Sequence, residues 1–502
     1  MVTTFGSFPG VRVETAGGGI TAVTIGEEEK LVLFGAAKYE NEGSFLATGA
    51  ADPIDGDASA EDPRQINARR EAEVLFGEDS KLARGMREAL ANGANINFLF
   101  AVAPKRRNVV DEVSATSTGT LDNSPIYEEN VSNEDTIENI VVREFDGADD
   151  LVATSDEKEA DEESVPEIDI QYRYDGEPAA PTPETGRAVF VNPLTGQFAA
   201  DEEPDGEYTV DYKYLDWAST LDSKGVEQVV TEDETGIFVP LTDADSVSVS
   251  AQGTASVLRG DYQLVNVISG AEPNDNQIVT VDGEDLDADF DNYQRTDARY
   301  DTADYEESGN QSVDADYYYK VAPSRHEDEK RHFLGAVGGL FAGNSISDPV
   351  YNEPLTGITG VEQSFTRTDA NNMRDNNIIP IRQNGSIRVK DNTSTSTEDD
   401  WERDFWRRRI ADRVILIAKQ IGESIIGRIN DEDTRNSAQR LIEAELRQLV
   451  NDRLLRANTE QETNWFVDVY ESSTNPDEVN IDIGFTPLGI VKRVDVSITI
   501  DT

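Results

Sequence analysis

The chain has 502 residues, of which 100 are acidic and 44 are basic, so its formal net charge is −56, and it contains no cysteine. This composition excludes disulfide frameworks, cysteine nucleophiles and cysteine-ligated metals, and two histidines are too few for histidine-rich metal chemistry. Because phosphate binding needs clustered positive charge, we expect no nucleic-acid partner at an isoelectric point near 4.2.

The excess of acidic residues is typical of proteins adapted to very high salt. At molar salt the Debye length falls to about 3 Å, so carboxylates on the surface barely repel one another. The basic residues are 32 arginines and only 12 lysines, which fits the same solvent. We therefore expect a halophilic source, and the alternative is an acidic protein of a mesophile.

Signals for export and for membrane insertion are missing from the sequence pattern. Residues 1–10 lack the basic segment and the apolar core that begin a signal peptide. No run of about 18 apolar residues is present to span a membrane. The pattern predicts a protein that is made in the cytoplasm and does not insert into a membrane.

The charge is unevenly distributed along the chain. Residues 108–222 include 31 acidic and 5 basic residues, a net charge of −26. Residues 398–456 include 13 acidic and 12 basic residues, a net charge of −1. Because the solvated surface of this protein is acidic, the near-neutral segment indicates a region that the rest of the chain or a partner covers.

The residues before the acidic segment predict an arm followed by a βαβ unit. Residues 1–24 contain a short alternating strand between proline and glycine residues, which is typical of an extended arm. Continuous apolar strands and a helix then alternate along the chain, which predicts a parallel sheet. These elements are a strand at 30–37, a helix at 67–92 and a strand at 97–102.

Residues 108–222 predict an inserted β domain that faces solvent. The segment is rich in Ser, Thr, Asp and Glu, and Asp-Gly and Thr-Gly turns separate its short alternating strands. The predicted strands are Ile168–Tyr174, Ala188–Asn192 and Tyr208–Leu215.

The α/β pattern returns near residue 226 and leads into two long helices. The predicted elements are strands at 236–241, 262–268 and 317–321, helices at 243–259 and 333–342, a strand at 386–390, helices up to 425 and over 434–456, and strands at 465–469 and 479–483. Thr397 precedes three acidic residues, which predicts the N-cap and first turn of the first long helix. The last strand, 490–500, alternates strictly between apolar and polar residues.

Candidate chemical sites are few, and each has a simpler interpretation. His326 and His332 are six residues apart, which suits neither one helix face nor a strand pair, so we expect solvated histidines at the start of a helix. The residues Asp285 to Asp291 alternate as in a calcium loop, but Phe290 stands where such a loop needs glycine. Ion binding by this loop stays open. We expect no catalytic residue, cofactor or metal.

A cluster of four glycines invites comparison with a dinucleotide-binding loop. Its order is wrong for a glycine loop between a strand and a helix, because the glycines already lie within a predicted helix. Close backbone packing is the better interpretation. The glycines are Gly335, Gly338, Gly339 and Gly343.

Five segments follow one another in a fixed order along the chain: Phe8–Glu14, Leu33–Ala37, Asn92-Gly93 followed by Asn97–Val102, Asn352–Ile358, and Asn376–Ile381 with Gly385–Val389. In this order they resemble contractile tail sheath proteins, in which the corresponding segments include a PGVYVEE opening, an FVGxA strand and an xNxPLxGV motif. The resemblance covers about 1–105 and 225–502. The chain departs from the family at Lys390–Asn392, where the family has tryptophan and glycine.

The resemblance implies an α/β (α+β) sheath core that is built from N- and C-terminal parts, with an inserted acidic, mostly-β domain and extended strand-forming arms. The expected divisions are an N-terminal arm (1–24), a first core part (25–107), the inserted outer domain (108–222), a second core part (223–345), a C-terminal domain with two long helices (346–487) and a C-terminal strand arm (488–502).

The resemblance also implies function. Sheath subunits stack as hexameric rings around an inner tube protein, between a baseplate and a tail terminator, and contraction drives the tube through a target envelope. Strand exchange between subunits would use Val11, Arg12, Val13, Val494, Val496, Ile498 and Ile500. The near-neutral helices would face the tube or a neighbour, through Trp401, Arg403, Arg407 and Arg408. The location would be a virion tail, assembled in the host cytoplasm.

Two other classes of protein share some of these features. A halophilic cell-surface or surface-layer protein would also be acidic and contain β domains, and an enzyme could have a split α/β core. The sequence does not distinguish a virus tail from a contractile injection system.

Overall fold

A computed structural model of the protein describes residues 29–37, 61, 63–77, 80–114, 118–123, 125–126, 140–148, 150–156, 160, 163, 165–172, 188–191, 196–200, 206–273, 300, 312–327, 331–397 and 404–489. The expected N-terminal arm therefore lies outside the described residues, as do the expected C-terminal arm after residue 489 and the loop from Asp285 to Asp291.

Strands and helices follow one another along the chain. The strands are β1 (Lys30–Phe34), β2 (Arg64–Gln65), β3 (Leu99–Val102), β4 (Lys105–Ser114), β5 (Thr118–Thr120), β6 (Ile140–Phe145), β7 (Leu151–Thr154), β8 (Asp169–Tyr172), β9 (Ala188–Val191), β10 (Gln197–Ala200), β11 (Glu207–Asp216), β12 (Thr235–Pro240), β13 (Leu264–Gly270), β14 (Tyr318–Ala322), β15 (Ile378–Asn384), β16 (Ser386–Val389), β17 (Trp465–Glu471) and β18 (Val479–Phe485). The helices are α1 (Arg69–Phe76), α2 (Lys81–Ala91), α3 (Trp217–Leu221), α4 (Lys224–Glu227), α5 (Asp245–Gly260), α6 (Leu334–Gly343), α7 (Arg367–Asp375), α8 (Phe405–Ile425) and α9 (Glu432–Asn451).

The core is an eight-stranded sheet in the order β16-β15-β14-β13-β12-β1-β3-β2. The central strand β1 pairs in parallel with β3 on one side and with β12 on the other, so that Leu31 lies opposite Leu99 and Ile237. Residues 31–34 are buried, as a strand covered on both faces requires. The predicted βαβ unit and its parallel pairing are confirmed, although the two edge strands, β2 and β16, pair antiparallel with their neighbours.

The helix predicted over 67–92 is wrong as a single element, because the chain forms two helices there. α1 ends at Phe76, and Gly77 follows with a φ of 89°, a conformation that glycine adopts easily and that stops a helix. A new N-cap then starts α2, where the side chain of Ser80 accepts a hydrogen bond of 3.1 Å from the backbone N–H of Ala83.

The glycines of α6 allow its backbone to touch α2. A Cβ at Gly335 would lie 2.2 Å from the carbonyl oxygen of Gly85, and one at Gly339 would lie 2.3 Å from that of Ala89. The small residues recur every four positions on both helices, so they form one contact line. Close backbone packing, predicted from the glycine cluster, is confirmed.

The acidic segment forms two four-stranded sheets, β5-β10-β9-β8 and β4-β11-β6-β7. Their strands do not pair with the eight-stranded sheet among the described residues. The segment leaves the core and returns to it through β4 and β11, where Lys105 is opposite Asp216. This strand pair begins three residues before the predicted boundary at 108, and Trp217 after it already packs in the main core.

The first long helix begins later than predicted. α8 starts at Phe405 with Asp404 at its N-cap. Thr397, predicted as the N-cap, instead donates a hydrogen bond of 2.8 Å from its hydroxyl to a carboxylate oxygen of Asp314. The hydroxyl therefore ties the preceding loop to the core, and the cap position of α8 belongs to Asp404.

Candidate functional site

The residues 404–489, which we call the C-terminal unit, contain most of the near-neutral segment. Helices α8 and α9 pack together beneath a ribbon of two antiparallel strands, β17 and β18. Of the 21 residues of α8, 12 are buried. The apolar residues Ile410, Val414, Ile417, Ile421 and Ile425 are among them, so the chain itself covers much of this helix.

Most of the predicted interface residues cannot be placed. The strand-exchange residues Val11, Arg12, Val13, Val494, Val496, Ile498 and Ile500 lie outside the described residues, and so do Trp401 and Arg403. Arg407 is half-buried on the first turn of α8.

Arg408 contacts its own chain. Its Nε and Nη2 donate hydrogen bonds of 2.9 and 2.8 Å to Oδ1 of Asp412, and its Nη1 donates to Asp316. The same Oδ1 accepts a bond of 2.5 Å from Nη2 of Arg259, at the end of α5. Two guanidinium groups therefore converge on one carboxylate whose side chain is only 1% exposed.

These charges stabilise one another. Burial alone would raise the pKa of Asp412, but the charges and hydrogen bonds of Arg259 and Arg408 hold it below its ordinary value. Burial would also lower the pKa of Arg408, and the charges of Asp412 and Asp316 raise it above its ordinary value instead. The network connects α8 to α5 and to the loop before β14.

A second set of ion pairs fixes the C-terminal unit to the amino ends of the core strands. Arg409 donates from Nε to Oε1 of Glu29, at 2.9 Å, immediately before β1. Lys419 lies 2.7 Å from Oδ1 of Asp233, before β12. Burial raises the pKa of Glu29, although Arg409 acts in the opposite direction. A cavity of about 430 Å³ lies beside Glu29, between the core and α9.

The ribbon covers the helices only in part. Val467 and Val469 of β17 are buried against them, at 7% exposure each. Every residue of β18 is half-buried, although its apolar side chains pack against the apolar cluster that α8, α9 and β17 form. Within residues 404–489, β17 and β18 have no strand partner besides each other. In the part of the chain that the structure describes, the ribbon is thus a sheet of two strands only, and its last strand leads towards residue 490.

The prediction of solvated histidines is wrong. His326 and His332 are 7% and 9% exposed. Nε2 of His326 is 2.9 Å from Oε1 of Glu88, and Nδ1 of His332 is 3.3 Å from the hydroxyl of Ser324. His326 forms an isolated β-bridge to Val361, and His332 forms one to Arg325. These backbone pairs hold both histidines next to the core.

A buried ionic cluster at the carboxyl ends of the strands has no counterpart among the sequence predictions. Arg325 donates from Nε and Nη2 to the two carboxylate oxygens of Asp243, both at 2.8 Å. Lys320 pairs with Asp245 nearby. Burial raises the pKa of Glu272 to about 7, although its carboxylate accepts a bond of 2.8 Å from the backbone N–H of Asp245. Only their positions in the sequence could have indicated the cluster. Asp243, Glu272 and Arg325 follow strands β12, β13 and β14, respectively, so they lie at the same edge of the parallel sheet.

This cluster holds ion pairs, and the geometry of a metal site is missing from the described residues. Nowhere in them do three or more acidic or histidine side chains converge as ion ligands. Among the described helices, none combines the length and the apolar character that crossing a membrane requires.

Neither a protein-family model nor a curated protein sequence matches the chain. Solved structures match it over nearly its full length. One is a chain in the contracted sheath complex of an extracellular contractile injection system, PVC, with a TM-score of 0.53, 13% identity and 99% of each chain covered. The chain has the fold of a contractile sheath protein.

Two further structures with the sheath fold come from the anti-feeding prophage. Its helical sheath in the contracted state matches with a TM-score of 0.51 and 13% identity. A chain in its sixfold-symmetrised baseplate matches with a TM-score of 0.51 and 12% identity. In both cases 99% of each chain is covered, so the likeness includes the core, the acidic segment and the C-terminal unit together.

Proposed function

We propose that the chain is the structural subunit of a contractile sheath. Copies would stack as six-membered rings around an inner tube protein, between a baseplate and a tail terminator, and shorten to drive the tube through a target envelope. The observation that carries the proposal is a sheath fold matched over 99% of both chains. The β17–β18 ribbon supports it, because among the described residues its edges are unpaired and a sheath subunit needs a place to receive its neighbours' strands.

The ribbon would receive strands from other copies. An extended segment can add to a free sheet edge through backbone hydrogen bonds. Exposed edges also invite aggregation unless something covers them. Residues 11–13 and 494–500 alternate as such strands do. Each arm would therefore complete the ribbon of a neighbour and keep the rings linked while the sheath shortens.

The C-terminal unit would face inwards, towards the tube or a neighbouring subunit. Trp401, Arg403 and Arg407, at or before the start of α8, remain the residues we propose for that contact. Arg408 has its guanidinium within hydrogen-bond distance of Asp412 and Asp316. Its role would therefore be to hold α8 in position for the contact.

Contraction would draw on energy that is stored in the extended assembly, without a nucleotide. The assembled sheath would lie in a virion tail built in the host cytoplasm, or in a related injection system. Neighbouring genes for a capsid and a terminase would identify a virus tail.

The acidic surface would match a solvent of high salt, and the segment from β4 to β11 would form an inserted outer domain. Its net charge of −26 over 108–222 supports a solvent-facing position. Circular dichroism in molar KCl and in dilute buffer tests the salt requirement. We expect a folded protein in the first and unfolding in the second, and full stability in dilute buffer would contradict a halophilic adaptation.

Negative-stain microscopy of the purified full-length protein tests the proposed function. We expect tubes whose end views resemble cogwheels. Flat lattices would favour a surface-layer protein instead, and persistent monomers at all concentrations would favour the enzyme alternative.

A further inference from the structure

Helix α5 exposes a face without charge in a highly charged protein. It connects β12 to β13, and its inner face is buried through Val247, Ala251, Ala255 and Leu258. Its exposed residues are all uncharged. They are Ser246, Val249, Gly253, Ser256, Val257 and Gly260. At a rise of 1.5 Å per residue the face is about 24 Å long.

The exposed face of α9, a helix of similar length, has a different composition. On α9, four of the seven exposed residues are charged, namely Glu432, Asp433, Arg440 and Arg447. Helix α5 contains two charged residues, and both pair with the body of the protein. Asp245 pairs with Lys320, and Arg259 pairs with Asp412. A helix that is solvated in the assembled state would be expected to keep charges on its outer face.

The composition of the face is unfavourable for a solvated helix. Val249 and Val257 are 45% and 64% exposed. Gly253 lies in the helix interior, where glycine destabilises a helix relative to alanine. The described residues do not explain this glycine, since among them a Cβ there would meet nothing within 4 Å. In α6, by contrast, Gly335 and Gly339 are required by the backbone of α2.

We propose that this uncharged face of α5 packs against a second copy of the chain in the assembled sheath. The inference rests on the proposed function, in which copies contact one another. Where two copies pack, a charged surface would bury carboxylates without partners, and salt does not remove that desolvation cost. In a chain with 100 acidic and 44 basic residues, an uncharged face avoids this cost, and the small side chains at Gly253 and Ser256 let another backbone approach closely.

The position of α5 favours a second copy over the inner tube. The C-terminal unit, proposed to face inwards, is fixed at the amino ends of the strands through Glu29 and Asp233. Helix α5 lies along the sheet and contacts β12 and β13. Its outer face is therefore a different surface from the one proposed to meet the tube.

The test compares two exposed valines on helices. Val257→Glu places a charge on the uncharged face, and Val74→Glu places the same charge on α1, where the exposure is 63% against 64%. Both variants are expected to unfold at the wild-type temperature. Val257→Glu is expected to raise the protein concentration needed for tube formation at least about tenfold. Val74→Glu is expected to leave it unchanged. Tubes of Val257→Glu at the wild-type concentration would overturn the proposal.

A second variant probes the face without a charge. Gly253→Leu adds bulk where the chain itself has open space. We expect a folded protein that does not form tubes, and normal tubes would overturn the proposal.

Photo-crosslinking identifies the partner. Tubes are assembled from protein that carries a benzophenone amino acid in place of Val257 and is otherwise unchanged. Irradiation should give covalent dimers of the chain. Crosslinks to the tube protein alone, or none, would overturn the proposal.

If wild-type protein forms no tubes, the proposed function itself fails. If Val257→Glu, Gly253→Leu and wild-type protein all form tubes, only this inference fails.

Discussion

The eight-stranded sheet and the β17–β18 ribbon differ in how completely the chain covers them. In the sheet, strand β1 is paired on both sides and residues 31–34 are at most 1% exposed. In the ribbon, every residue of β18 is half-buried and each strand has one described partner. The chain itself covers the first, whereas among the described residues the second has edges that strands from other copies would complete under the proposed strand exchange. Under that proposal, the sheet sets the stability of the subunit and the ribbon serves assembly.

Removing residues 491–502 should have the largest effect, because it should abolish assembly and leave the fold intact. We expect a folded monomer that forms no tubes, because the arm that would complete a neighbouring ribbon is gone while the eight-stranded sheet is intact. Circular dichroism and negative-stain microscopy measure the two properties.

A deletion elsewhere provides the control. Replacing residues 106–215 by a short linker removes the acidic segment and leaves Lys105 and Asp216, which are cross-strand partners, at the junction. Tubes should still form. Normal tubes from the chain without 491–502 would contradict strand exchange, and an unfolded core after the second deletion would show that the segment is not a separate unit.

Asp412→Asn should cause the largest loss of stability among single substitutions, about 3–5 kcal/mol in the free energy of unfolding. The change leaves the guanidinium groups of Arg259 and Arg408 buried without their shared carboxylate. Chemical denaturation at constant salt measures it. Asp375→Asn is the matched control, because Asp375 is 67% exposed in its pair with Arg374 and should cost less than about 1 kcal/mol. Equal losses for the two variants would argue against the buried network.

Gly339→Ala and Gly253→Ala should change stability in opposite directions. A Cβ at Gly339 would lie 2.3 Å from the carbonyl oxygen of Ala89, so the helices must separate at a cost of about 1–3 kcal/mol. Gly253 has open space, so alanine should stabilise the fold by up to about 1 kcal/mol. Thermal unfolding distinguishes the two. A Gly339→Ala protein as stable as the wild type would contradict the close contact between α2 and α6.

Glu272→Gln should have an effect that depends on pH and is absent in acid. The folded protein raises the pKa of Glu272 from 4.5 to about 7, so the ionised carboxylate lowers stability above that pH. This penalty fades as the pH falls from 7 towards 4.5. Because a glutamine side chain resembles the protonated acid, Glu272→Gln should melt a few degrees higher than the wild type at pH 8 and equally at pH 4.5. A difference that does not vary with pH would exclude this titration.

Local sequence patterns predicted the buried strands, because a continuous apolar run is visible without knowledge of the rest of the fold. The apolar runs of β1, β3 and β12 appear as strands at the expected places. The burial of His326 could not be predicted, because its partner Glu88 is 238 residues away in the sequence. The break at Gly77 was missed because helical periodicity continues on both sides of it.

The sequence predicted which segment of the chain forms the candidate site, but not the contacts of its single residues. A net charge of −1 over 398–456 pointed to a covered region, and the structure shows that the chain itself covers much of α8. The roles of single residues depended on contacts across the fold. Arg408 is an example, because its partner Asp316 lies 92 residues away.

Cryo-electron microscopy of assembled tubes, at a resolution that separates strands, tests the central claim most directly. The account predicts that β17 and β18 are joined by strands from other copies, which are built from residues near 11–13 and 494–500. A ribbon that stays two-stranded in the assembled tube would contradict it.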